Sequence, residues 1–157
     1  MRTTVATVSQ LVNCEAVDAF DAFAEPDKIT QFWLNSTSGR LTEGARLTWH
    51  FMVPGVTDTL TVDICKRPSL IQLTWSDGSK TKLEFSEHAQ GQTKISVSAE
   101  VPETTDHMDQ VVNTTEGFAI VLCDLKTLLE SGRSANLVRA KAELIAASMA
   151  AQKHDKR

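Results

Sequence analysis

The sequence contains few cysteines, and their spacing argues against a disulfide framework. Only Cys14, Cys65 and Cys123 occur in 157 residues, an odd and scattered set without a CxxC pair. Small secreted domains that depend on disulfides carry an even number of cysteines at close spacing. We therefore expect a protein of a reducing compartment, whose stability comes from a hydrophobic core.

Long apolar runs are also missing. No segment approaches the roughly 18–20 apolar residues that a membrane-spanning helix needs. Polar, strand-like residues follow Met1, where a secretory signal would have its apolar region. These two features predict a cytoplasmic protein that does not enter a membrane.

Motifs for metal, nucleophile or phosphate chemistry are not found. The four histidines and three cysteines have no zinc-site spacing such as HxxxH or CxxC. The chain has no GxSxG sequence and no glycine-rich loop that could cradle a phosphate. We expect neither a metal nor a cofactor.

Charge is distributed unevenly along the chain. The net charge is −4, but residues 131–157 carry six Lys or Arg against two acidic residues, which leaves −8 on the first 130 residues. A nucleic-acid groove needs clustered basic residues, so this acidic body argues against one. A basic C-terminal tail of this kind is typical of a solvated, frayed end.

Period-2 alternation of apolar residues predicts an α+β domain with six antiparallel strands. A chain of 157 residues fits one domain. Tight turns such as Asp77-Gly78 connect successive strands, which indicates a meander of hairpins. The predicted strands cover residues 3–12, 46–53, 60–64, 70–75, 80–85 and 95–101.

Helical signals flank these strands. Asn13 is a predicted N-cap for a helix from about Glu15, and Pro26 suits the first turn of a second short helix. A long helix is predicted from about residue 108 to 131, with Asp106 as N-cap and Gly132 as its left-handed C-terminal residue. Ser134 is a predicted cap for an additional helix.

Several short segments form a recognisable pattern: Val17-Asp18-Ala19-Phe20, Glu25-Pro26, Phe32-Trp33, Glu43-Gly44, Gly117-Phe118, Leu122-Cys123-Asp124-Leu125 and Glu130-Ser131-Gly132. With the order of elements, these segments resemble START-like (SRPBCC, helix-grip, Bet v-type) domains, in the branch of the Aha-type activators of a heat-shock chaperone ATPase. The resemblance covers about residues 3–132. Two features depart from the pattern: Phe118 stands where the branch has Trp, and the third strand lacks a starting glycine.

This resemblance implies a helix-grip domain over residues 1–133, followed by a C-terminal helical extension with a basic tail at 134–157. The first part of the long helix is rich in small and polar residues, so we expect the sheet not to close there. The space would form a ligand cavity. Its expected wall residues are Trp33, Trp49, Phe51, Trp75, Asn113, Thr114, Gly117, Phe118 and Val121.

Three functions remain open at this point. The first is a binding protein for a small apolar or aromatic molecule, which the scarcity of ionisable residues on the inward faces favours. The second is an enzyme of the cyclase or hydrolase kind, using Asp106 and His107 at the cavity mouth or Arg46. The third is an interaction or chaperone-related module, whose extra helix could pair with a second copy; a co-chaperone role is not expected, because no second domain of the kind that full activators carry is recognised. The first is favoured, without catalysis.

Overall fold

The computed structural model describes residues 2–155, without the side chains of residues 154 and 155. The predicted basic tail residues Lys156 and Arg157 therefore lie outside the described part, as does the side chain of His154. The elements are β1 (Thr3–Val12), α1 (Ala16–Ala24), α2 (Pro26–Ile29), β2 (Leu34–Thr37), β3 (Arg46–Phe51), β4 (Thr57–Lys66), β5 (Leu70–Trp75), β6 (Lys80–Ala89), β7 (Gln92–Pro102), α3 (His107–Ser131) and α4 (Leu137–Asp155).

The strands form one antiparallel sheet in the order β1-β7-β6-β5-β4-β3-β2. The predicted α+β class with an antiparallel sheet around a long helix is confirmed, but the count of six strands is wrong. The seventh strand, β2, has four residues, of which only Leu34 is apolar, so it carries no alternation to recognise. It pairs with β3 at the sheet edge.

The two short helices cover the sheet with aromatic side chains. Phe20 of α1 contacts Phe85 of β6 edge to face, at 5.5 Å between ring centroids. Pro26 occupies the first turn of α2, as predicted. Asn13 does not cap α1: Glu15 holds that position without a side-chain bond, and the Asn13 N–H donates to Glu130 Oε2 at 2.9 Å.

The long helix α3 packs against β1 and β7. Gly132 ends it with φ of 81°, and its N–H donates to the Leu128 carbonyl at 2.9 Å, which confirms the predicted C-terminal glycine. Asp106 stands at the N-cap position but makes no capping bond there. Instead it accepts hydrogen bonds from Thr104 Oγ1 and Gln110 Nε2.

The last helix, α4, begins at Leu137, three residues after the predicted cap Ser134. The left-handed backbone of Asn136, with φ of 59°, lets the chain reverse between α3 and α4. The two helices then pack against each other. Within residues 2–155, no helix combines the length and the apolarity that crossing a membrane requires.

Two glycines in and beside α3 predict stability changes of opposite sign. Gly132→Ala should destabilise the fold by about 1 kcal/mol, because an L-residue is strained in left-handed backbone. Gly117→Ala is the matched control: an added Cβ there meets no atom within 4 Å, and alanine favours the helix by about 0.5–1 kcal/mol. Urea denaturation measures both, and a stabilising Gly132→Ala would contradict the cap.

An ion pair between α1 and the β4–β5 turn predicts a pH-dependent stability. Arg67 donates to Asp21 through Nε at 2.9 Å and Nη2 at 2.8 Å. This hydrogen bonding lowers the pKa of Asp21 from its ordinary value. A carboxyl whose pKa is lowered on folding stabilises the fold above its unfolded pKa, and the contribution is lost as pH falls through the folded pKa.

Arg67→Met should therefore lower stability at neutral pH, and the loss should shrink as pH falls below the ordinary carboxyl pKa of about 3.9. Lys82→Met is the control for losing a surface cation, since Lys82 forms only a 3.3 Å contact with the exposed Glu84. Urea midpoints across this pH range test the prediction. A loss of the same size at every pH would show that the ion pair does not carry the effect.

Candidate functional site

A cavity of about 570 Å3 lies between the sheet and the first turns of α3, open on one side to solvent. Aromatic rings, hairpin residues, the N-terminal half of α3 and part of α4 surround it. The residues that border it are Trp33, Phe51, Met52, Val53, Val56, Asp58, Trp75, Asp77, Ser79, Thr81, Ala99, Glu100, Val101, Pro102, Gln110, Asn113, Thr114, Gly117, Phe118, Ile120, Val121, Val138, Lys141, Ala142 and Ile145.

The space exists because α3 changes character along its length. Its second half buries Leu122 and Leu125 completely against the sheet. Its first half presents Asn113, Thr114 and Gly117, whose side chains are too small to fill the distance to the strands. The helix therefore closes onto the sheet at one end and stands away from it at the other.

Four aromatic side chains contribute to the apolar wall. Trp33, in the turn after α2, contacts Phe118 of α3 at 5.7 Å and Phe51 of β3 at 6.4 Å between ring centroids. Phe51 lies 6.2 Å from Trp75 of β5. The Trp75 indole Nε1–H donates to Thr81 Oγ1 at 2.8 Å, so its polar group is satisfied within the wall. These rings therefore present mainly apolar surface to the cavity.

Eight of the nine predicted wall residues border the cavity. They are Trp33, Phe51, Trp75, Asn113, Thr114, Gly117, Phe118 and Val121. The ninth, Trp49, does not. It is 1 % exposed and lies behind the wall, with ring centroids 5.1 Å from Trp33 and 5.6 Å from Trp75. Its role is to support those two rings rather than to face the space.

The sequence analysis did not identify the acidic groups at the rim of the cavity. Asp58 pairs with Trp49 across β3 and β4, so both side chains point inward. Its Oδ1 accepts hydrogen bonds from the Thr59 N–H and the Ser76 hydroxyl. Nearby, Asp77 accepts from Ser79. The alternation of β4 could have identified Asp58, because this residue is in phase with Leu60 and Val62 of the same strand.

The carboxylates at the rim are not paired with basic side chains in the part of the chain that the structure describes. None of the ion pairs described within residues 2–155 includes Asp58, Asp77 or Glu100, and each of these side chains accepts only from hydroxyl or backbone N–H donors. Lys141 of α4, the one basic side chain among the described residues that border the cavity, pairs with Glu116 at 2.6 Å. The electrostatic environment therefore disfavours an anionic ligand.

Helix α4 supplies a wall that the sequence did not lead us to expect. Val138, Ala142 and Ile145 border the cavity at i, i+4 and i+7 spacing. Leu144, on another side of the same helix, is 68 % exposed and does not border the cavity.

The residues proposed for catalysis are not among those that border the cavity. The ring of His107 is within hydrogen-bond distance of Thr4 Oγ1 through Nε2 (2.7 Å) and of the Pro102 carbonyl through Nδ1 (3.0 Å). The hydrogen bond from Thr104 lowers the pKa of Asp106. Arg46 is exposed on β3. The structure thus brings none of the three to the cavity wall.

The cysteines are held in partly buried environments. Cys65 lies on β4 and is partly buried. A register shift between Val62 and Ile64 changes the alternation of β4, which brings the Cys65 Sγ to 3.6 Å from the Leu41 carbonyl. Burial raises the pKa of the Cys65 thiol. Among residues 2–155, no group of three or more His, Cys, Asp or Glu is placed to hold a metal ion.

Solved structures with the same fold come from several bacteria. A protein from Staphylococcus saprophyticus is 24 % identical, with a TM-score of 0.74 over 83 % of this chain and 95 % of its own. The Aha1 dimer from Colwellia psychrerythraea is 19 % identical, with a TM-score of 0.73 over 83 % of this chain and 99 % of its own. CalU16 from Micromonospora echinospora is 17 % identical, with a TM-score of 0.66 over 93 % of this chain and 88 % of its own.

These identities establish the fold alone. No curated protein matches the chain significantly in sequence. A family model, described as activator of Hsp90 ATPase homolog 1-like protein, matches residues 13–130. The matched segment runs from the end of β1 to the last turn of α3 and stops before α4. The chain therefore belongs to the family of activator of Hsp90 ATPase homolog 1-like proteins, as an Aha1-like START/SRPBCC domain.

Proposed function

We propose that the protein binds a small apolar or aromatic molecule in the cavity between the sheet and α3, without chemical conversion. The observation that carries the proposal is the aromatic wall formed by Trp33, Phe51, Trp75 and Phe118 around a cavity of about 570 Å3. This volume is in the range of about 300–1,000 Å3 found for small-molecule sites, which are lined mainly by hydrophobic and aromatic side chains.

Energetics support an occupied cavity. The cavity is open to solvent, so water fills it when no ligand is bound. Solvent can fill the polar rim near Asp58 and Ser79. Next to the aromatic rings, water loses hydrogen bonds, so an apolar molecule gains free energy by replacing it.

The rim restricts the charge of the ligand. Asp58 and Asp77 place carboxylates at the opening. A carboxylate or phosphate on the ligand would be repelled there. We therefore propose a ligand without negative charge, and a neutral dye such as Nile red is a suitable probe.

The binding proposal predicts that filling the cavity from α3 abolishes probe binding. Gly117→Leu places a side chain into open space beside the helix, where an added Cβ meets nothing within 4 Å. It should weaken Nile red binding at least about tenfold, since the side chain and the probe compete for the same volume. Fluorescence titration measures the affinity.

Ala119→Leu is the matched control, because Ala119 is exposed on the same helix and does not border the cavity. It should bind the probe as the unmodified chain does. Native mass spectrometry of the protein purified from its own cells would identify a retained molecule. If Gly117→Leu binds the probe unchanged, the dye occupies another surface and the proposed site is wrong.

A second candidate role is self-association through α4. Leu137 and Leu144 lie on the outer side of this helix and are 37 % and 68 % exposed. The similar structure from Colwellia psychrerythraea is described as a dimer. We infer that an α4 surface around Leu144 could pair with a second copy of the chain.

This role predicts a change in oligomeric state. If the chain is a dimer through α4, Leu144→Glu should convert it to a monomer, because two like charges would be buried in the interface. Ala150→Glu is the control, since Ala150 is exposed on a different side of α4. Light scattering after size exclusion measures the mass. A monomeric unmodified chain, or a dimer that survives Leu144→Glu, would remove this role.

A further inference from the structure

Helix α4 contributes a wall to the cavity although it lies outside the family match, which ends at residue 130. Val138, Ala142 and Ile145 border the space, and Ala142 is 5 % exposed. Helix α4 packs against α3. The two helices therefore form neighbouring walls of the cavity. Whatever fixes α4 in place therefore also fixes this part of the wall.

The attachment of α4 depends on a buried carboxylate of α3. Asp124 is 1 % exposed. Its Oδ1 accepts from the Ser134 hydroxyl at 2.6 Å, and its Oδ2 accepts from the Val138 N–H at 3.2 Å. The side chain of one helix thus satisfies the free N-terminal donors of the next. A negative charge at that end also interacts favourably with the helix dipole.

Two further contacts support the same geometry. Thr127 Oγ1 accepts from the Ala135 N–H at 3.3 Å, which holds the connecting segment against α3. One turn into α4, Lys141 Nζ lies 2.6 Å from Glu116 Oε1. These contacts therefore attach α4 to α3 both at the connecting turn and at Lys141, which borders the cavity.

We propose that α4 completes the ligand site as a cover over the cavity, and that Asp124 is the positioning residue that holds this cover against α3. The inference rests on the proposed binding function. It adds that Ile145 and Ala142 contact the bound apolar molecule, and that the rate at which the molecule leaves depends on α4 remaining attached. Contacts outside the family segment then contribute to which ligand this chain accepts.

The first test removes a single wall contact from the full chain. Ile145→Ala should weaken Nile red binding and speed its dissociation several-fold, because a side chain that borders the cavity is lost. Met149→Ala is the matched control, since Met149 is an apolar residue of the same helix that is 41 % exposed and does not border the cavity. Equal effects of the two substitutions, or no effect of either, would overturn the assignment of α4 as a wall.

The second test loosens the attachment without touching the cavity. Asp124→Asn keeps the shape of the side chain but loses its charge and one acceptor, and Ser134→Ala is a milder version that removes one hydrogen bond. Both should raise amide hydrogen exchange in α4 and speed probe dissociation, by about tenfold for Asp124→Asn. Glu130→Gln is the control, because Glu130 is a carboxylate of α3 that bonds to Asn13 and Lys126 instead of α4.

The outcomes separate this inference from the binding proposal. If the unmodified chain binds no Nile red, the binding proposal fails and the inference falls with it. If the unmodified chain binds, and exchange in α4 rises without a change in dissociation, only the inference fails. If Asp124→Asn does not fold, Ser134→Ala and Ile145→Ala decide the matter in the same two measurements.

Discussion

The contact on which the site depends is the edge-to-face packing of Trp33 and Trp75 against the central Trp49. This ring is buried at the centre, with Trp33 and Trp75 on either side at 5.1 Å and 5.6 Å. Edge-to-face pairs are stabilising beyond the area they bury, because the positive edge of one ring meets the negative face of another. The arrangement joins the turn after α2 to β3 and β5, and it fixes the back of the cavity wall.

A second constraint acts through α3, whose two halves are attached differently. The apolar half buries Leu122 and Leu125, so it closes the grip. The first half has no large inward side chain until Phe118, and a helix is too stiff to bend towards the sheet for small residues. The rigid aromatic cluster on one side and the stiff helix on the other keep the space open. The cavity is therefore formed by the aromatic cluster and the stiff helix, and its existence does not depend on the conformation of a particular loop.

Much of this architecture can be read from the sequence, and the failures have physical reasons. Alternation of apolar and polar residues predicts strands whose two faces differ, as in β6 and β7. Gly132 predicts the end of α3, because glycine adopts the left-handed backbone conformation more easily than other residues. The strand β2 was missed because its residues, Leu-Asn-Ser-Thr, have one apolar member. Trp49 was placed on the wall because period 2 gives the face of a side chain but not how deep its ring lies. The environment of Cys65 is not readable from the sequence either, because a register shift has no mark in composition.

The polar features of the site were the least predictable, and Asp124 shows why. In the sequence it stands within the apolar run Leu122-Cys123-Asp124-Leu125, where a carboxylate has no evident partner. Its donors, Ser134 and the Val138 N–H, come from the next helix and become neighbours only after the chain reverses at Asn136. A buried charge is costly unless hydrogen bonds replace its water. Because these donors exist only when α4 lies against α3, the carboxylate favours that one arrangement of the two helices, and the cavity acquires its outer wall as a consequence.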